Sequence, residues 1–202
     1  MPIDLPFLHP ELAGLYLVRM KGFAMRFILS LTVVILTANL PQVVSAQTSD
    51  ETQSEVVKQL AQQLASATQK GDYKKIVSLS YEKVVEQLGG PAKAFETVKE
   101  QMDMMKQRGM KMTQYSVGKL SAFASTPQNK FVIVPTQMTF TLPGVTVKAD
   151  SFLLGISPDQ GKTWRFVDGA GIATAEDQKK VLPTLPDKFR LPKPKQPKIL
   201  RD

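Results

Sequence analysis

Around residue 110 the spacing of apolar residues changes from three-and-four to two, and this switch limits the fold more than any other feature of the chain. Before it, Val57, Leu60, Leu64 and Ala67 lie on one side of a helix that starts after the capping residues Ser49 and Asp50 and stops at Gly71. Asp72 caps a shorter segment carrying Tyr73, Ile76, Val77 and Leu79, and Val84, Val85 and Leu88 keep helical spacing up to Gly89 and Gly90. Pro91 suits the first turn of a further helix, in which Phe95, Val98, Met102 and Met105 form a stripe that ends at Gly109. Methionines at this period read as core packing rather than as soft-metal ligands.

After the switch, turn residues arrive at regular intervals: Thr126-Pro127-Gln128-Asn129, Pro143-Gly144 and Pro158-Asp159-Gln160-Gly161. Four strands joined by hairpins are expected, over 112–123, 130–142, 145–156 and 162–168. Pro135 inside the second strand calls for an edge position or a bulge. Thr174 with Glu176 and Asp177 opens a short helix that Pro183 must end. Helices followed by an antiparallel meander make an α+β domain over 47–182, with N-terminal helices packed on a curved sheet of four strands or slightly more.

This order of elements resembles the nuclear-transport-factor-2-like superfamily, the cone fold, whose relatives include the SnoaL-like proteins. The resemblance spans residues 51–171 and is carried by Gln69-Lys70-Gly71-Asp72-Tyr73 at the end of the first helix and by Gly161-Lys162-Thr163-Trp164-Arg165-Phe166-Val167-Asp168-Gly169 in the last strand. Many members insert one or two strands where residues 81–90 read as helix or irregular chain. The resemblance implies a pocket between helices and sheet, which hosts isomerases and dehydratases in some branches and only ligand or partner binding in others; fold alone does not choose.

The chain has 202 residues, no cysteine and one histidine, His9. Residues 27–40 (FILSLTVVILTANL) are uncharged and mostly apolar, preceded by Arg19, Lys21 and Arg26 and followed by Pro41 and the small residues of Val44-Ser45-Ala46. This reads as a signal peptide over 1–46 cleaved before Gln47, so the expected location is periplasmic or extracellular. The competing expectation is an uncleaved membrane anchor, although a span needs roughly 20 apolar residues. Met25 followed by Arg26 is itself a conventional signal start, which would make residues 1–24 an over-extended beginning. Removal of His9 leaves a chain with neither histidine nor cysteine. That excludes Ser-His-Asp triads, Cys-His dyads and His- or Cys-ligated metal centres. Gly169-Ala170-Gly171 lacks the rest of a dinucleotide fingerprint and no Walker-type loop occurs, so no cofactor and no metal is expected.

An isomerase or dehydratase of the resembled kind needs a carboxylate base and a donor that stabilises an enolate. The candidates here are Asp150 and Asp168 for the base, and Tyr81 and Tyr115 for the donor. In the third strand Val145, Val147, Ala149 and Leu153 share one face, while Thr146, Lys148, Asp150 and Phe152 share the other, which sets Asp150 beside Lys148 on the wetter half. Trp164 and Phe166 share a face of the last strand, as core aromatics or, with Tyr115, as ligand-stacking residues. Asp168 lies on their side, just before the glycines.

Residues 183–202 carry six cations (Lys188, Arg190, Lys193, Lys195, Lys198, Arg201) against Asp187 and Asp202, with five prolines interspersed. The expectation is an extended basic tail, either solvated or bound to an anionic envelope surface. Nucleic acid is not an expected partner, because the aromatics lie in the strands rather than among these lysines. Two functions follow. The first is an exported non-catalytic binding or accessory module for a small apolar ligand or a partner protein, with a homodimer through the open sheet face as one arrangement. The second is a metal-free isomerase-like enzyme using an Asp base and a Tyr donor.

Overall fold

Helix α1 spans Asp50–Lys70 in the computed structural model, which describes residues 50–200. The signal peptide expected over 1–46, its cleavage site and the alternative start at Met25 lie outside the described residues. α1 buries Val57, Ala61, Leu64 and Ala65. The chain then reverses through Gly71 at φ 72°, and the Asp72 N–H donates back to the Ala67 carbonyl at 2.9 Å, a glycine-dependent helix stop. The Asp72 carboxylate accepts the Lys75 N–H at 3.0 Å and so starts α2, Tyr73–Leu79. After α3, Glu82–Gln87, Pro91 occupies the first turn of α4, Pro91–Gln107. The expected methionine stripe of α4 is not a core stripe: Ala94 is the only residue of this helix that is fully buried.

The strands are β1 (Lys111–Val117), β2 (Ala124–Ser125), β3 (Lys130–Leu142), β4 (Val145–Ser157), β5 (Arg165–Asp168) and β6 (Lys198–Leu200). They form one six-stranded antiparallel sheet, where four strands or slightly more are expected. β3 and β4 are a long hairpin in unbroken register from Lys130↔Ser157 to Leu142↔Val145, closed by Pro143 and Gly144, the latter at φ 73°. β1 and β2 pair with the other side of β3, while β5 and β6 share the far edge of β4, at Leu153–Ile156 and Thr146–Lys148 respectively.

Two strands are shorter than expected, each for a local reason. Pro135 lies in β3, an interior strand rather than an edge. Its carbonyl faces β1 and accepts the Gly118 N–H at 2.8 Å, so its missing donor also falls on that side, where β1 ends at Val117. The irregularity expected of Pro135 thus appears in its neighbour: the predicted 112–123 strand stops at Val117, and pairing with β3 resumes only beyond its expected end, in β2. In the last strand, Asp159 accepts the N–H and hydroxyl of Thr163, both at 2.8 Å, and holds 159–163 as a turn, so β5 begins at Arg165.

Both faces of the sheet are covered. On the inner face Val132, Val134, Leu153, Trp164 and Phe166 pack with Val57, Ala61 and Leu64 of α1 and Leu79 of α2. On the outer face Phe131, Phe152, Leu154, Ile156 and Val167 pack with Ile172, which ends the 3-10 turn Gly169–Ile172, and with Val181 of α5, Ala175–Val181. Leu185, Phe189 and Leu191 from the proline-rich segment join this second core, before the chain reaches β6. The segment is extended but laid on the domain.

Candidate functional site

Strand parity sets the inner face. Tyr115 of β1 stands opposite Met138 of β3, and Leu153 of β4 stands opposite Asp168 of β5, with Phe166 two residues before Asp168 on the same side. Residues paired across an antiparallel ladder point to the same face. Against this face the helices present Leu64 and Thr68 from α1, Ile76 from α2, and Val98 and Met102 from α4, while Val84 of α3 lines the cavity where it borders the second core, beside Val167 and Val181. Between the two layers lies a cavity of about 300 Å³ with predominantly apolar walls. Its mouth is framed by Asp168, Ala170 and Gly171 and by Asp177 and Lys180 of α5. Gln87 of α3 donates to the Lys180 carbonyl at 2.8 Å and ties α5 to the helical layer there. Thr68 is occupied by the Leu64 carbonyl at 2.9 Å.

Asp168 lies at the end of β5, where the strand gives way to the 3-10 turn. Its carboxylate accepts the Ala170 N–H at 2.8 Å, an Asx turn that opens that helix. The residue surface is accessible, yet protein surrounds the carboxylate on the concave wall. The second fact governs its titration: desolvation raises its pKa above the ordinary carboxylate value, and the Ala170 hydrogen bond only partly opposes this. The phenol of Tyr115 is also raised, by desolvation first and then by the negative charge of Asp168.

Of the four proton-transfer candidates, the fold therefore brings Asp168 and Tyr115 to one cavity and keeps the other two out. Asp150 points to the opposite face of the sheet, where it accepts from Gln137 Nε2 at 2.9 Å and lies 3.7 Å from Lys195 Nζ. The Gln137 hydrogen bond, ahead of the lysine charges, holds its carboxyl below the usual range. Tyr81 sits at the margin of the second core and lines an open groove beside α2 and α3. Its backbone N–H donates to the Phe166 carbonyl at 2.8 Å. Among the aromatic ligand candidates, Phe166 and Tyr115 line the cavity. Trp164 does not: it is 1% exposed, its indole N–H donates to the Gly161 carbonyl at 3.2 Å, and its ring lies 5.5 Å from that of Phe123.

Several residues of the site carry no motif. Val98 and Met102 belong to the apolar stripe of α4, and their half-exposed state is what distinguishes a cavity wall from a core. Met138 is one more alternating residue of β3, and α5 frames the mouth only because the chain folds back after β5. Among the described residues no group of three or more carboxylates assembles into a metal site, and no helix is long and apolar enough to cross a membrane. No known family model matches the chain, and no curated protein does.

Proposed function

We propose that this chain is an exported binding module of the cone-fold type, whose cavity takes a small, mostly apolar, uncharged molecule with its polar group at Tyr115 and Asp168. The observation that carries this reading is the cavity itself: about 300 Å³ of apolar space whose sheet wall bears one phenol and one carboxyl. Its size is at the lower end of the range of small-molecule sites, and a few convergent polar groups on an apolar lining are how such sites orient a ligand. A carboxyl with a raised pKa accepts from, or once protonated donates to, a neutral ligand group, whereas an anion would meet a second negative charge. The neutral fluorogenic probe N-phenyl-1-naphthylamine tests the reading. It should brighten with wild-type protein and with Asp150→Asn, but not with Met138→Trp, which fills the cavity from its sheet wall. Equal brightening with Met138→Trp, when that variant is folded, would sink the proposal.

One observation favours a second reading, acid–base catalysis: Asp168 and Tyr115 share the cavity. In that case Asp168 takes a proton from carbon next to a carbonyl, and Tyr115 donates a hydrogen bond to the enolate oxygen. Asp168→Asn would then bind substrate and abolish turnover, while Asp150→Asn retains both. Unchanged turnover in Asp168→Asn would remove Asp168 from any such mechanism.

A further inference from the structure

We propose that the corner formed by β6 and the facing end of β4 is a contact surface for an anionic phospholipid bilayer. The inference is independent of the cavity, which opens elsewhere. Lys148 and Lys198 stand directly opposite each other across the β4–β6 ladder, on the same face. Opposed like charges weaken a strand pair, and β6 is only three residues long and exposed throughout. Asp150, on the same face of β4, offsets the pair only in part, because its single charge acts on Lys198 and also on a third cation, Lys195, 3.7 Å away. Three lysines thus share one carboxylate. A row of anionic headgroups supplies the missing counter-charge, each nearby lysine strengthening the attraction.

Apolar residues at the same corner select a bilayer over a soluble polyanion. Ile199 and Leu200 are 45% and 43% exposed, and they are two of the four exposed large hydrophobic residues among those described. Leu200, opposite Thr146, shares the face of Lys148 and Lys198, and Ile199, opposite Val147, lies on the other face of the same edge strand. Exposed apolar side chains bordered by lysines suit the boundary between headgroups and acyl chains, where a polyanion in water would leave them unused. Pro192, Pro194 and Pro197 keep the approach to β6 extended, which leaves Lys193 and Lys195 exposed beside it.

Co-sedimentation of the purified protein with large vesicles tests the surface. One set is pure phosphatidylcholine, and the other contains seven parts phosphatidylcholine to three of phosphatidylglycerol. Binding should require phosphatidylglycerol and weaken in half-molar salt. The Lys148→Gln/Lys198→Gln pair should lower it roughly thirtyfold, from about fivefold for each lysine at a charged surface. Leu200→Ser should reduce it at every salt concentration. Lys148→Gln alone should not lower the melting temperature, since it relieves a repulsion, so loss of binding is separable from loss of fold. Three results would overturn the proposal: equal binding to both vesicle types, unchanged binding by the double variant, or binding to dextran sulfate without binding to either vesicle. Sedimentation driven by the apolar 27–40 run would show as the first two.

Discussion

At Asp168 a single side chain serves local structure and the site together, and the two roles are separable by pH. Its pKa is raised in the folded state, so the unfolded chain releases the proton first as pH increases. Stability is therefore highest with the group protonated, falls as pH rises from the ordinary carboxylate value to the raised one, and stays lowered above it. Asp168→Asn keeps an acceptor for the Ala170 N–H but cannot ionise. Urea unfolding should find this variant more stable than wild type at neutral pH, with the gap closing in acid below the ordinary carboxylate pKa. A gap of constant size across that window would refute the assignment. Asp150 carries the opposite sign: its pKa is lowered, so what it contributes is present above its unfolded pKa and fades on acidification. Gly155 is a third residue whose identity is tied to its surroundings. A Cβ there would meet Val132 at 2.9 Å and the Trp164 ring at 3.4 Å. Gly155→Ala should cost about 1–3 kcal/mol by overpacking, measurable by denaturant unfolding.

Elements end where short-range chemistry ends them, and such ends could be read directly. Gly71, Asp72 and Pro91 place three helix boundaries, and Pro143-Gly144 places the long hairpin, because each acts within four residues of itself. The length of β1 could not be read in the same way, because it depends on a carbonyl of Pro135, 17 residues further along the chain from Gly118. The late start of β5 follows from a turn, itself local, in which Asp159 gathers Ser157 and Thr163. That turn also contains Gly161, at φ 101°, whose N–H donates to Ser157 Oγ at 2.7 Å and whose absent Cβ leaves room for the Gln53 side chain of α1. Gly161→Ala combines a disfavoured backbone with that clash and should cost about 1–3 kcal/mol, seen as a lower melting temperature; no loss would mean the turn can rearrange. The candidate site was half legible for the same reason. Alternation put Asp168 and Phe166 on one side of their strand, but which side faces a cavity is settled by β3 and β4, not by β5. Nothing local joins Asp168 to Tyr115, which lies on the opposite flank of the sheet.

Across the whole molecule, the sheet is enclosed by two cores, and the second depends on residues that composition alone assigns to a tail. Phe189 lies 5.8 Å, ring to ring, from the fully buried Phe131. Phe189→Ala should destabilise the domain by about 2 kcal/mol, less than a full core truncation because the ring is only half-buried. If stability is unchanged, the segment does not contribute to the fold. Coverage is also uneven along the β3–β4 hairpin. From Phe152 to Ser157 every residue of β4 is buried, whereas from Val145 to Ser151 only Val147 is. Amide exchange should follow this gradient: protons of the deep half exchange only on global unfolding, while those near Pro143-Gly144 exchange through local opening. Of the sheet residues that line the cavity, Leu153 is anchored in the slow half and Met138, on the same face of the hairpin, sits in the fast half. The sheet wall of the chamber is thus fixed on the side of β5 and breathes toward the hairpin tip, and a ligand larger than its resting volume would be accommodated from that side.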